Sequence, residues 1–273
     1  RKRARPCGAR TPVIRWSRPP AEPHRPIRPP RLRRPPRPSC RQLPTRAPVR
    51  RVADDPRRLT LMRIGILGGS FDPPHAGHLL VAQDALDELA LDRLLVVPAA
   101  QQPLKGPGQT PAAHRLAMVQ ACFGGVPRIV VDPIEIDRGG LSFMVDTVEA
   151  LRRRWPSAVL HLLVGDDVVS TLPRWRDVTR LLSMVQLVVL HRADRGHDEA
   201  ALTDTLVSVG ASTARRLATR RIDLSSTEIR ARIRDGRSIR GCVPDAVATY
   251  IATTGLYLEN SRELSTAEDP ARA

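Results

Sequence analysis

Aromatic side chains are scarce: 273 residues hold three Trp, two Tyr and three Phe. The regular aromatic interleaving on which nucleic-acid modules stack bases is therefore missing. Cysteine is scarcer still, and Cys7, Cys40, Cys122 and Cys242 show neither close pairing nor metal-ligand spacing. A disulfide framework or a structural zinc site is not expected, and reduced thiols in a cytoplasmic setting are. No apolar run approaches the roughly 20 residues of a membrane-spanning helix, and no leader with an apolar centre is seen, so neither a membrane protein nor a secreted one is expected. Lysine occurs only at Lys2 and Lys105.

What is abundant is arginine, in one place. Residues 1–61 hold 19 of the 44 Lys and Arg residues against three acids, and residues 62–273 carry equal numbers of basic and acidic groups. The formal charge of +16 thus belongs to the first segment, which also holds 14 of the 26 prolines. Self-repulsion and missing backbone donors predict a disordered or polyproline II stretch there. As a polybasic arm it would attract nucleic acid or an acidic membrane only nonspecifically and in a salt-sensitive way. An Arg-rich targeting peptide is a further reading, although the segment does not read as an amphipathic helix. The plainest reading places residues 1–61 outside the working protein, with the folded domain spanning 62–260 and a polar tail over 261–273.

From Arg63 onward short apolar runs alternate with helical periods. Ile64–Leu67, Leu94–Val97, Ile129–Val131, Val159–Val164 and Leu187–Leu190 are near-continuous apolar segments, as in strands buried on both faces. Leu79, Ala82, Leu86 and Leu89 share one helical face, and Met144, Val148, Leu151 and Trp155 another. A last helix is expected from Pro244 to Gly255. This βαβ order predicts an α/β, doubly wound, Rossmann-like parallel sheet with ligands at the carboxyl ends of its strands.

The first strand runs into Gly68-Gly69-Ser70-Phe71-Asp72-Pro73-Pro74-His75-Ala76-Gly77-His78 and then a helix, expected to start at His78. Glycines allow backbone to approach phosphate, and a helix start offers N–H groups and a positive dipole end. His75 and His78, at i and i+3, can address one phosphate, where nucleotidyl transfer accumulates charge. No Gly-Lys-Ser/Thr follows, so this is not a P-loop, and the spacing does not match a dinucleotide fingerprint. A second segment, Leu224-Ser225-Ser226-Thr227-Glu228-Ile229-Arg230, reads as a capped helix start with Arg230 one turn inside, a second anion site or simply a capped helix.

The segment Gly68–His78 closely resembles the G-G-[ST]-F-D-P-x-H-x-G-H signature of the nucleotidylyltransferase superfamily, in particular the bacterial nicotinate-nucleotide adenylyltransferases. Leu224–Arg230 resembles the I-S-S-T-x-I-R motif of the same family, with Leu224 in place of isoleucine. The resemblance extends over about 62–258. It implies ATP contacts from Gly68, Gly69, Ser70, Phe71, Gly77, Ser225, Ser226 and Thr227, with His75, His78, Lys105 and Arg230 acting on the phosphates. Gly165-Asp166-Asp167 is similar to the family's G-x-D, which implies a ribose contact for Asp167, a helix cap being the competing reading. Leu172-Pro173-Arg174-Trp175 resembles the loop on which the nicotinate ring stacks, so Phe143, Met144, Trp175 and Arg176 are the implied acceptor-binding residues. His114-Arg115 resembles the family's H-R, and Arg115 is read mainly as scaffold.

Two departures stand out. Ser142-Phe143-Met144-Val145-Asp146-Thr147 replaces S-Y-T-x-D-T and loses a phenol and a hydroxyl, and Arg192-Ala193-Asp194 replaces R-P-G. The implied reaction is in-line attack of the phosphate of nicotinate mononucleotide on the α-phosphorus of ATP, with Mg²⁺ arriving on the nucleotide and no dedicated metal cage in the protein. Transfer to nicotinamide mononucleotide or phosphopantetheine is the alternative within the same chemistry.

Overall fold

The computed structural model describes residues 61–106, 109–192, 199–220 and 222–258. The basic segment up to residue 60, the tail over 261–273 and the Ala193-Asp194 departure lie outside the described residues. The chain begins with strand β1 (Arg63–Gly69), helix α1 (Ala76–Glu88), β2 (Arg93–Pro98), α2 (Ala112–Phe123) and β3 (Ile129–Val131). Then come α3 (Ile134–Arg138), α4 (Met144–Arg154), β4 (Val159–Gly165) and α5 (Asp166–Val169). A 3₁₀ turn (Leu172–Arg174), α6 (Val178–Met184), β5 (Gln186–Arg192), α7 (Glu199–Ser208), β6 (Arg215–Thr219), α8 (Ser226–Arg234) and α9 (Asp245–Thr254) complete it.

All strand pairings are parallel, in the order β3-β2-β1-β4-β5-β6. The chain builds outward from β1 in one direction and then returns to add β4 on its other side. The reversal opens a crevice beyond the carboxyl ends of β1 and β4, where open α/β sheets bind ligands. The Gly68-Gly69 pair and Gly165 end those two strands.

The near-continuous apolar runs are explained by burial on both faces. Leu67, Leu94, Val96, Leu163 and Val188 pack with Leu86 of α1, Val119 of α2, Ile229 of α8 and Ile251 of α9. Their sequence neighbours Ile66, Leu95, Leu162 and Val189 face the other way, with Ile64, against Val148 and Leu151 of α4, Leu181 of α6 and Leu206 of α7. Burying one such side chain contributes roughly 1.5–3 kcal/mol, so these two layers fix the strand register on which the crevice depends.

Two expectations need correction. Helix α1 starts at Ala76 with His75 at its cap, not at His78, which sits at the third helical position. The sheet also has a sixth strand. Arg215–Thr219 places Leu217 and Thr219 inward and Arg215, Arg216 and Ala218 outward, so this edge strand carries no apolar run for the sequence reading to find, unlike β3 at the other edge.

Candidate active site

The first motif is folded back on the sheet end by its own aromatic residue. Phe71 takes a left-handed backbone (φ 50°) and is buried, its ring edge-on to Phe123 at 6.3 Å and to His78 at 5.1 Å. His75 and His78 then lie ring over ring, centroids 3.8 Å apart and tilted by 32°. The His75 backbone N–H donates to Nδ1 of His78 at 3.2 Å. Because Nδ1 accepts, the proton of a neutral His78 sits on Nε2. Gly77 makes the stacking possible, since a Cβ there would stand 3.0 Å from the His75 ring.

The second motif docks directly on the first. At the start of α8 the Ser225 hydroxyl caps the helix by accepting from Glu228 N–H at 3.1 Å. Ser226 Oγ donates to the Pro73 carbonyl at 2.8 Å, and Arg230 donates to the Asp72 carbonyl at 2.7 Å and to Thr227 Oγ1 at 3.3 Å. Two segments about 150 residues apart in sequence thus meet backbone to side chain. Helix α8 presents its N-terminal N–H groups and Arg230 to the same end of the sheet as the histidines.

Lys105 reaches the first motif from the loop after β2, its Nζ donating to Ser70 Oγ at 2.8 Å. Partial loss of hydration, and next the charge of Arg230, lower its pKa, which places the two cations near one another. Such a pair repels unless an anion lies between them. That loop is itself held by Arg115, a buried guanidinium that donates to the carbonyls of Ser70, Ala99, Ala100 and Thr110 at 2.6–3.0 Å. Arg115 is scaffold, as expected.

Across the crevice, Asp167 follows β4 and is exposed, while its neighbour Asp166 is buried and accepts Asp167 N–H at 2.9 Å. Oδ2 of Asp166 also lies 3.4 Å from His191 Nδ1 at the end of β5. A Cβ on Gly165 would collide with Oδ1 of Asp167. Phe143 caps α4 and Met144 opens it, with the Met144 Cε only 2.7 Å from where a Cβ of Gly68 would stand, so the implied acceptor segment abuts the phosphate loop. The Arg176 guanidinium covers the Phe143 ring at 4.8 Å and pairs with Asp146 at 3.5 Å. Trp175 is half-buried against the core, and its indole N–H donates to Thr171 Oγ1 at 3.0 Å. Part of its ring is therefore committed to packing.

Of the sequence-derived residues, Gly68, Gly69, Ser70, Phe71, Gly77, His75, His78, Lys105, Ser226 and Arg230 are joined by these contacts, and Ser225 and Thr227 belong to the same helix start. Gly165 and Asp167 stand at the end of the neighbouring strand, and Phe143, Met144, Trp175 and Arg176 form a second group beside α4. Sequence reasoning missed Tyr257, whose hydroxyl donates to Asp72 Oδ1 at 2.7 Å, and Ser142, whose Oγ accepts Ala100 N–H at 2.9 Å.

A family model described as cytidylyltransferase-like matches residues 66–232. A curated relative from Gemmatimonas aurantiaca, described as a "probable nicotinate-nucleotide adenylyltransferase", is 68% identical over 212 residues, 78% of this chain and 100% of the relative. One of the same description from Thermus thermophilus is 40% identical over 196 residues, 72% of this chain and 100% of the relative. Among solved structures, a Plasmodium falciparum nicotinic acid mononucleotide adenylyltransferase complexed with NaAD shares the fold, with a TM-score of 0.58 at 18% identity over 72% of this chain and 97% of that one. With its motifs at the switch point of a 3-2-1-4-5-6 sheet and relatives matched along their whole length, the chain belongs to the nicotinate-nucleotide adenylyltransferase family of the cytidylyltransferase-like proteins.

Proposed function

We propose that this site transfers the adenylyl group of ATP to the phosphate of nicotinate mononucleotide, giving nicotinate adenine dinucleotide and pyrophosphate in NAD biosynthesis. The observation that carries the reading is the docking of Ser226 and Arg230 on the Asp72-Pro73 backbone, which puts two anion-binding helix starts and Lys105 around one crevice. The name carried by relatives up to 68% identical supports the choice of acceptor. The 196-residue match that covers the whole Thermus thermophilus relative supports a catalytic unit of about the length of 62–260, although the 212-residue match to the Gemmatimonas aurantiaca relative is longer than that span.

The acceptor phosphate is already anionic, so in-line attack on the α-phosphorus needs no general base. In this reading the stacked His75 and His78 donate to α-phosphate oxygens as charge builds in the transition state. Lys105 and Arg230 offset the repulsion between acceptor phosphate and triphosphate and hold the outgoing pyrophosphate. Asp167 takes the ATP ribose, and the Phe143-Met144 helix start and the Trp175 face take the nicotinate ring. The donors along the phosphate path are cationic or neutral, a set suited to a nucleotide that carries its own Mg²⁺ on phosphate oxygens, where the ion would neutralise triphosphate charge.

Product analysis tests the assignment. The full chain is incubated with Mg-ATP and, in separate reactions, nicotinate mononucleotide, nicotinamide mononucleotide and phosphopantetheine. Fastest turnover with nicotinate mononucleotide, with pyrophosphate released one for one, is expected; turnover confined to phosphopantetheine would reject the acceptor assignment.

A further inference from the structure

The middle position of Gly165-Asp166-Asp167 holds a carboxylate for which the proposed reaction has no use. Asp166 is 5% exposed, whereas Asp167 beside it is open to solvent. Burying a carboxylate is costly unless it is paired. Both of its oxygens are engaged: Oδ1 accepts the Asp167 N–H at 2.9 Å, and Oδ2 stands 3.4 Å from Nδ1 of His191. The first of these contacts has a local cause. Gly165, at the cap position of α5, has no side chain to meet the N–H groups that a helix start leaves unpaired, and Asp166 meets one of them from inside the first turn.

The second contact brings in another strand. In the parallel register Leu190 of β5 lies beside Gly165, so His191 stands one residue beyond the end of β4, level with the start of α5. There it pairs with Ala218 of the edge strand β6. Its Nε2 lies 4.0 Å from Oε1 of Glu199, the first residue of α7. The other Glu199 oxygen pairs with Arg216 of β6, which also donates to Thr203 Oγ1 at 2.9 Å. The imidazole thus spans two carboxylates, one buried and one exposed, and links β6 and α7 through Asp166 to the Asp167 N–H.

What stands at the end of this chain of contacts is the Asp167 carboxylate, folded back over Gly165 and close enough to Lys105 to act on its charge. A helix of four residues does little by itself to fix such a group. We propose that His191 is a positioning residue for adenylyl transfer: by bridging Asp166 and Glu199 it fixes the first turn of α5, and with it the place from which Asp167 meets the ATP ribose. The inference rests on the ribose contact assigned to Asp167. In this role His191 acts on nucleotide binding and not on the reacting phosphates, so its loss raises the KM for ATP and leaves kcat alone.

The test compares ATP with 2′,3′-dideoxy-ATP, which keeps the reacting phosphates and lacks both ribose hydroxyls, at saturating nicotinate mononucleotide. His191→Leu should raise the KM for ATP roughly tenfold, the value of one charged hydrogen bond, and leave that for the dideoxy nucleotide unchanged. His191→Asn, whose amide can stand where Nδ1 stands, should recover most of the loss. Equal rises for the two nucleotides mark a merely structural role and overturn the proposal, as does an unchanged KM for ATP. Should His191→Leu fail to fold, Glu199→Gln at the exposed end of the chain of contacts asks the same question: a rise of roughly threefold confined to ATP is expected, and none overturns the proposal. An unsubstituted chain that does not tell the two nucleotides apart would remove the ribose contact of Asp167 and this inference together. Discrimination by that chain which His191→Leu leaves intact would remove the inference alone.

Discussion

Tyr257 donates its phenolic O–H to Asp72 Oδ1 at 2.7 Å, joining the residue just after the last helix to the middle of the phosphate loop across 185 positions. The other Asp72 oxygen accepts Thr110 N–H at 3.3 Å, and the Asp72 carbonyl accepts from Arg230. One buried acid thus gathers the segment after α9, the Lys105 loop and α8 around the histidine motif.

Tyr257→Phe leaves Asp72 Oδ1 buried without its donor, an arrangement that costs roughly 1–3 kcal/mol. Thermal unfolding should show a loss of that size, with a lower kcat because the loop bearing His75 and His78 is less firmly held. Burial and the Asp72 carboxylate push the phenol's pKa up. The hydroxyl's contribution is accordingly complete below the ordinary tyrosine pKa of about 10 and fades only above it. An unchanged melting temperature at pH 7 would count against the role given to this contact.

His78→Ala removes one of the two stacked imidazoles and the acceptor of His75 N–H. Loss of one transition-state donor predicts a fall in kcat of about 100-fold or more. Circular dichroism should show the fold retained, since His78 lies on a helix anchored by Ala82, Ala85 and Leu86. Near-normal turnover in a folded variant would remove His78 from the mechanism.

Gly165→Ala separates the fold from the ribose contact proposed for Asp167. The backbone of Gly165 is extended (φ −66°, ψ 152°), which alanine tolerates, and what the new methyl meets is the flexible end of Asp167. Displacing that carboxylate should raise the KM for ATP by roughly tenfold, the value of one charged hydrogen bond, with little change in stability. A KM equal to that of the unsubstituted chain would detach Asp167 from the nucleotide.

The site's chemistry was legible wherever it resides in contiguous residues: Gly68–His78, Leu224–Arg230 and Gly165–Asp167 were each visible as short patterns with a local physical meaning. Their supports were not. Tyr257 and Asp72 meet only after the chain has wound through the whole sheet, and no spacing in the sequence encodes that meeting. Arg115 could be placed as scaffold, but its four carbonyl partners come from two loops whose shapes depend on it. Strands with apolar residues on both faces announced themselves as apolar runs, the edge strand β3 among them, whereas β6, with arginines on its wet face, did not.

Stability should also carry the signature of His161. Burial first, and then the charges of Arg63 and Arg215, hold its pKa down to about 4. An unfolded histidine titrates near about 6.5. Between these values the unfolded chain binds more protons than the folded one, so stability is full above pH ~6.5 and falls as pH drops toward 4. Urea denaturation in piperazine hydrochloride should show the chain losing roughly 2–3 kcal/mol more than His161→Leu between pH 7 and pH 4.5. Parallel losses in the two proteins would mean that His161 is not held neutral by the fold.

The acceptor's ring substituent is the last point to decide. Phe143 and Met144 supply neither the phenol nor the hydroxyl usual at these positions in the family, and Met144 is turned toward Gly68. What the start of α4 can offer a carboxylate is backbone N–H and the positive end of the helix, with the Arg176 guanidinium over the Phe143 ring nearby. All of these favour an acid over an amide, whose NH₂ would face donors. A mismatched polar contact of that kind costs roughly 1–3 kcal/mol, or about 10- to 150-fold in kcat/KM. Comparing kcat/KM for nicotinate and nicotinamide mononucleotide at saturating ATP should show a preference for the acid within that range, and Arg176→Gln should narrow it. Equal values for the two mononucleotides would mean that the helix start does not reach the ring substituent, leaving adenylyl transfer intact but its acceptor specificity to other residues.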